Sequence, residues 1–317
     1  MDTAALVAGV LAGQRRALAR LLSAVEAGEE QRLREVIAAI HPHTGRAHTI
    51  GVTGPPGVGK STLTGQLVAA QRHRGRTVGV LAVDPSSPFS GGALLGDRVR
   101  MGEQVLDEGV FIRSMATRGQ LGGLSWATPQ AMAVMDAAGF DVIIVETVGV
   151  GQAEVEIASL ADSTIVALAP GMGDAVQAAK AGILEVADLY VVNKADREGA
   201  DRTVRELEGM LHLAPHGAGW TAPVLTTVAE RGEGVEAVAD VLDAHLVWAE
   251  GSGARLEQRR RAARVAVREI VLADVRREIQ QVDAGTLLDA VLDDVASRRT
   301  DPYAAADSLI ERIRRVP

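Results

Sequence analysis

The chain changes its hydrophobic rhythm twice. Between residues 3 and 40, apolar side chains recur at helical spacing: Leu6, Val10, Leu18, Leu21, Leu22 and Val25 precede Gly28, and Leu33, Val36, Ile37 and Ile40 follow it. This pattern predicts a pair of helices parted at Gly28. His41-Pro42-His43-Thr44-Gly45 ends helical geometry and reads as a linker. From residue 49 short β-rich runs alternate with helical stretches. Strands are predicted at 49–53, 77–83, 110–113, 141–145, 164–169, 189–192 and 223–227. Helices are predicted near 60–73, 98–107, 127–138, 174–185, 201–211 and 234–248.

Several of these strands are apolar at every position, as a parallel sheet covered on both faces requires. Strand–helix alternation over this length implies an α/β fold, doubly wound around a mostly parallel sheet, with ligands at the carboxyl ends of the strands. After Glu250-Gly251-Ser252-Gly253 the sequence turns helical to its end. Leu256, Ala263, Val267, Ile270, Val271, Val275, Ile279 and Val282 are spaced to line one face of a long helix. Two shorter helices follow, around 285–297 and 302–315. The expected organisation is an N-terminal helical extension at 1–45, an α/β domain at 46–250 and a C-terminal helical region at 251–317.

Composition narrows the function. A net charge of −8 argues against a phosphate-backbone partner, and 3% aromatic residues leave no platform for stacking bases. Nucleic acid is therefore not expected. Without cysteine there are no disulfides, no thiolate nucleophile and no sulfur-ligated metal. The first residues lack the basic start and apolar run of a signal peptide, and no apolar run approaches the length of a membrane span. A cytoplasmic protein that does not cross a membrane is expected.

Two motifs carry chemistry. Gly54-Pro55-Pro56-Gly57-Val58-Gly59-Lys60-Ser61 is a complete Walker A sequence, placed after a predicted strand and opening a predicted helix. Its glycines let backbone N–H groups turn around a phosphate, and the helix N-terminus adds positive potential. Lys60 is expected to reach the β- and γ-phosphates and Ser61 to ligate Mg²⁺, with Thr62 adjoining the phosphate site. Asn193-Lys194-Ala195-Asp196 follows another buried strand. The Asp196 carboxylate can accept from guanine N1–H and the exocyclic amine, donors that adenine does not offer, so GTP and GDP are favoured over ATP. Asn193 would support the base and its loop, and the Lys194 stem would pack on the ring. Asp84 ends the second strand, Asp97 lies in a glycine-rich stretch, and Glu146 ends the fourth strand before Thr147-Val148-Gly149. Carboxylates there can hold Mg²⁺ or its water, and Gly149 can offer its N–H to the γ-phosphate. His41, His43 and His48 lack companion ligands and read as linker histidines; Arg259-Arg260-Arg261 with Arg264 reads as a solvated helix face.

Taken together, the chain resembles the MeaB/ArgK-type GTPases of the SIMIBI class. The resemblance rests on Val52 to Ser61, Val83-Asp84-Pro85-Ser86-Ser87-Pro88, Gly96-Asp97-Arg98, Glu146-Thr147-Val148-Gly149-Val150-Gly151-Gln152, Pro170-Gly171-Met172-Gly173-Asp174, Lys180-Ala181-Gly182-Ile183 and Asn193-Lys194-Ala195-Asp196. It implies a homodimeric, Mg²⁺-dependent GTPase, with 46–250 as the GTPase domain and 251–317 as the dimerisation region. It implies a chaperone of adenosylcobalamin-dependent acyl-CoA mutases such as methylmalonyl-CoA mutase, with an adenosyltransferase as a further partner. Lys60, Asp84, Asp97 and Glu146 are implied as catalytic and metal-site residues, and Lys180 as a mobile lysine that responds to the partner. Val228 stands where a serine commonly precedes the alanine of the third guanine loop, here Ala229, and backbone N–H groups can serve that contact. Gln120 and Ala175 depart from the family's usual histidine and acidic residue. A nickel-insertion maturation GTPase of the same class is the alternative, but such proteins handle metal with Cys and His ligands.

Overall fold

Residues 3–27, 30–84, 106–116, 127–147, 153–171, 186–213, 219–283 and 286–313 are described by a computed structural model. Three helices open the chain: α1 (Thr3–Leu11), α2 (Arg15–Ala27) and α3 (Glu30–Ile40). The apolar spacing predicted two, because the pattern runs unbroken across residues 12–14. The first helix in fact stops at Gly13, which adopts a left-handed φ of 71° and donates back to Val10 O, a glycine stop the periodicity does not register.

Seven strands follow: β1 (His48–Thr53), β2 (Val78–Asp84), β3 (Val110–Ala116), β4 (Val142–Thr147), β5 (Ser163–Leu168), β6 (Leu189–Asn193) and β7 (Val224–Thr227). They form one sheet in the order β3-β2-β4-β1-β5-β6-β7, and every pairing is parallel. All seven predicted strands are present. The helices are α4 (Lys60–His73), α5 (Thr128–Ala137), α6 (Ala153–Leu160), α7 (Ala200–Leu213) and α8 (Val235–Ser252), then α9 (Ala254–Asp283), α10 (Thr286–Ala296) and α11 (Pro302–Ile313). The helix predicted near 174–185 lies outside the described residues, as does nearly all of the one predicted near 98–107.

Alternate strand residues feed opposite faces. Ile143 and Val145 join a core with α1, α2, α3 and α5, whereas Ile50, Val52, Val142 and Ile144 join one with Leu63 and Leu67 of α4 and Val238 and Leu242 of α8. Val166, Leu168, Tyr190 and Val192 pack with Leu207 of α7. Both faces are thus covered, which is why these strands carry no polar alternation. Packing divides the chain into two units, Met1–Arg259 and Arg260–Pro317. Among the described residues no helix is long and apolar enough to cross a membrane.

A buried polar chain sits at the amino ends of the strands. His245 Nε2 lies 3.2 Å from Asp188 Oδ1, Ser163 Oγ lies 2.7 Å from His245 Nδ1, and His48 Nε2 lies 2.8 Å from Ser163 Oγ. When Asp188 is ionised and the His245 ring carries a single proton, the donors run one way, from His48 through Ser163 and His245 to Asp188. His48 is therefore a core residue of β1, 3% exposed, rather than a linker histidine. Burial lowers its pKa to about 4, against the opposing field of Asp162. His41 and His43 remain exposed in the 3₁₀ turn His41–His43.

Candidate functional site

The opposite end of the sheet gathers the residues with the strongest sequence signals. Strand order reverses around β1, which has β4 on one side and β5 on the other. Such a switch point leaves a crevice at the carboxyl ends. The chain leaves β1 there into residues 54–59 and re-enters helix at Lys60, with Gly59 as the left-handed N-cap of α4. Glycine is required by close approach on both sides of this loop. A Cβ on Gly54 would lie 2.0 Å from Ala167 O, and one on Gly59 would lie 2.5 Å from Asn193 Nδ2.

Lys60 is 7% exposed, and its Nζ donates to Gly54 O at 2.7 Å and Pro55 O at 3.0 Å, which folds the ammonium into the rim of the loop. The first-turn N–H groups of α4 and this cation together make a site for anionic phosphate. Val58 is fully buried and anchors the loop to the core beneath, whereas Pro56 and Gly57 are exposed and Pro55 is half-buried. Ser61 and Thr62, both half-buried, form the first turn of α4.

Ser61 Oγ donates to Glu146 Oε1 at 2.5 Å, so the end of β4 is tied to the helix that follows β1. A buried carboxylate beside a hydroxyl is a hard oxygen donor set, which suits Mg²⁺ better than a softer metal. One residue further on, Thr147 Oγ1 donates to Thr53 Oγ1 at 3.0 Å, and both side chains are buried. That hydroxyl pair fixes the strand end from which Glu146 projects. The two threonines lie in separate motifs 94 residues apart, so neither motif by itself shows the pair.

Asn193 ends β6 and joins three loops. Its Nδ2 donates to Val58 O at 2.8 Å, while its Oδ1 accepts from Thr227 Oγ1 and from Ala229 N, each at 3.0 Å. Lys194 takes a left-handed φ of 58° and donates Nζ to Gly57 O at 2.6 Å. Asp196 has a side chain 41% exposed, and Arg231 approaches its Oδ2 to 3.9 Å while held by Glu233 at 2.7 Å. Val228 and Glu233 exchange backbone hydrogen bonds that close the turn containing Ala229. Of the other sequence candidates, Asp84 closes β2, and its side chain lies outside the described residues. Asp97, Gly149 and Lys180 lie outside them altogether.

An all-parallel sheet with a phosphate loop after β1 and a carboxylate-bearing NKxD loop after β6 defines a P-loop nucleotide hydrolase of the guanine-reading kind. The family model described as "Methylmalonyl Co-A mutase-associated GTPase MeaB" matches residues 18–284, and the chain belongs to that family. It is 47% identical over 304 residues to a Pyrococcus abyssi protein described as a GTPase, covering 95% of this chain and 94% of that one. It is 39% identical over 233 residues to the GTPase ArgK of Escherichia coli, covering 71% and 70%. Among solved structures, one described as an LAO/AO transport system kinase aligns with a TM-score of 0.73 and 27% identity, covering 98% of this chain and 97% of that one. The fold is that of the SIMIBI-class P-loop GTPases, and the protein is a GTPase that binds guanine nucleotide.

Proposed function

We propose that this GTPase is a Mg²⁺-dependent chaperone of an adenosylcobalamin-dependent acyl-CoA mutase of the methylmalonyl-CoA mutase type. It gates delivery of the cofactor and protects the mutase. The observation that carries this reading is the family match across 18–284, whose description names mutase association. The site supports it chemically: nucleotide-facing elements come from β1, β4, β6 and β7, so hydrolysis at one place can alter several loops.

In this reading residues 54–62 hold the phosphates, and Asn193, Lys194 and Asp196 hold the base with the turn at Val228 and Ala229. Ser61 and Glu146, with Asp84 and Asp97, hold Mg²⁺, which when bound neutralises charge on the phosphate oxygens. Lys60 stabilises the same charge from the loop. Gly149 senses the γ-phosphate, and Lys180 answers to the partner. The exposed Leu256, Val267, Ile270, Val271 and Val275 of α9 support a homodimer formed through 251–317. An adenosyltransferase is a further partner, and the setting is cytoplasmic. Nickel insertion has less support, since the chain lacks cysteine and the described residues hold no cluster of metal-ligating side chains.

GTP turnover of the wild type, Lys60→Ala and Lys180→Ala, with and without a cobalamin-dependent mutase from the same genome, tests the proposal. The mutase should accelerate the wild type. Lys180→Ala should lose that acceleration with nucleotide affinity nearly intact, and Lys60→Ala should be impaired in both conditions. Absence of acceleration in the wild type would reject the chaperone role for that pair.

A further inference from the structure

The Asp196 carboxylate has a task that its own loop does little to prepare. To read guanine, both oxygens must lie along the base edge at once, one for N1–H and one for the C2 amine. A carboxylate free to turn about its last bond presents that pair only part of the time. The backbone beneath it is fixed, since Arg197 N donates to Lys194 O and Ala195 N to Thr227 O, each at 3.0 Å. The side chain is not. Among the described residues the Asp196 carboxylate accepts no hydrogen bond, and it is 41% exposed. The cation beside it is the Arg231 guanidinium, whose Nη1 stands 3.9 Å from Asp196 Oδ2, an ion-pair distance too long for a hydrogen bond.

Arg231 is held at that place by its own turn. Val228 N donates to Glu233 O at 3.0 Å and Arg231 N to Val228 O at 2.9 Å. The chain leaves the turn through Gly234, whose φ is 77° and where a Cβ would lie 2.2 Å from Thr226 O, so only glycine fits. Ala229 N donates to Asn193 Oδ1, which ties this turn to the side chain that also starts the loop of Asp196. Glu233 then takes the guanidinium side-on, with Nε donating to Oε1 at 2.7 Å and Nη2 to Oε2 at 3.3 Å. A two-pronged pair of this kind fixes the plane of the group, and it leaves Nη1 for Asp196. The hydrogen bond and charge of Glu233, with Asp196 and Glu230 adding to them, raise the Arg231 pKa above its ordinary value. The group is a cation at every working pH. It also offsets three carboxylates, those of Asp196, Glu230 and Glu233, beside the site of a polyanionic ligand.

We propose that Arg231 is a positioning residue for guanine: held by Glu233, it keeps Asp196 Oδ2 in place so that both carboxylate oxygens meet the base edge together. This rests on the reading of Asp196 as the carboxylate that receives the base. It gives the third guanine loop, besides the N–H of Ala229, a side chain that selects the base by acting through Asp196.

The test is titration calorimetry of the full chain with GDP and with IDP, whose base keeps N1–H and lacks the C2 amine. The ratio of the two affinities reads the second hydrogen bond to Asp196, which a merely structural role for Arg231 would leave alone. The wild type should prefer GDP. In Arg231→Ala that preference should fall about threefold, within the roughly fivefold that an exposed ion pair can shift an equilibrium. The Arg231 side chain is 54% exposed, so its loss opens no hole in the core. Arg231→Lys keeps the charge but cannot grip Glu233 side-on while facing Asp196, and it should stay near the alanine value. An unchanged ratio in Arg231→Ala, even with both nucleotides bound more weakly, would overturn the positioning role, as would full recovery in Arg231→Lys. Asp196→Ala should by itself abolish the preference for GDP. A preference retained there would instead overturn the base reading, and this proposal with it.

Discussion

Asn193 organises the loops around the proposed base site. One side chain ties the phosphate loop at Val58, the β7 terminus at Thr227 and the turn at Ala229, and it is 2% exposed, so each of these bonds is shielded from water. It presents Asp196 on a loop whose backbone is already committed, with Ala195 N bound to Thr227 O. In the proposed reading the guanine preference rests on one carboxylate, that of Asp196. Asp196→Asn should shift selectivity from guanine toward xanthine nucleotides, whose C2 carbonyl suits an amide donor. Titration calorimetry with GDP and XDP checks this; an unchanged preference for GDP would show that another group reads the base. The NKxD and Walker A residues were legible because each chemistry demands particular residue types at fixed local spacing. Asp162 with Arg255 and Arg259 was not, because its meaning lies in partners 93 and 97 residues away that share no motif. The hydroxyl pair of Thr53 and Thr147 was hidden for the same reason.

The strands show how far element-level reading goes. Runs such as Val142 to Val145 are apolar at every residue because both faces are covered, and that alone located them. Helix ends were harder, as Gly13 shows, because periodicity reports a face and is blind to a stop. The amino ends of β1 and β5 also carry a pH dependence that periodicity could not reveal. His48 titrates at about 4 in the fold, below its ordinary 6.5, so the unfolded chain takes up a proton first. Stability contributed by the neutral, buried ring is complete above pH 6.5 and is lost as pH falls from there toward 4. The full loss is on the order of 3 kcal/mol, from the span of the two pKa values. Asp162 acts at lower pH: lowered from 3.8 to about 2, it contributes stability above 3.8 that disappears as pH falls toward 2. Urea unfolding at pH 7, 6 and 5 should show a declining midpoint. His48→Gln should flatten that decline, and an equally steep decline in the variant would exclude His48 as its source.

For the whole molecule, the boundary that matters lies just past Arg255 and Arg259, which clamp the buried Asp162 at 3.2 Å each. Arg259 is thus engaged, rather than on the solvated helix face expected from the sequence. A chain ending at residue 260 keeps Arg255 and Arg259 and should fold and bind GDP. A chain ending at residue 250 leaves Asp162 buried without either arginine, and such a loss costs about 3–5 kcal/mol. It should therefore be far less stable to urea than the longer one. If the dimer forms through the C-terminal helices, both chains should also be monomeric by light scattering while the full chain is dimeric. A full chain that is monomeric at micromolar concentration would exclude the dimer, and equal stability of the two truncations would remove the energetic weight given to the clamp.

The mutase role is tested most directly by the affinity of the full chain for a cobalamin-dependent mutase of the same genome, measured with the GTPase loaded with GDP and again with a non-hydrolysable GTP analogue. The two affinities should differ by about tenfold, and the mutase should alter the relative affinity for the two nucleotides by the same factor, because linkage is reciprocal. Identical mutase affinity in both nucleotide states would contradict the proposal that GTP hydrolysis by this protein switches its hold on a mutase.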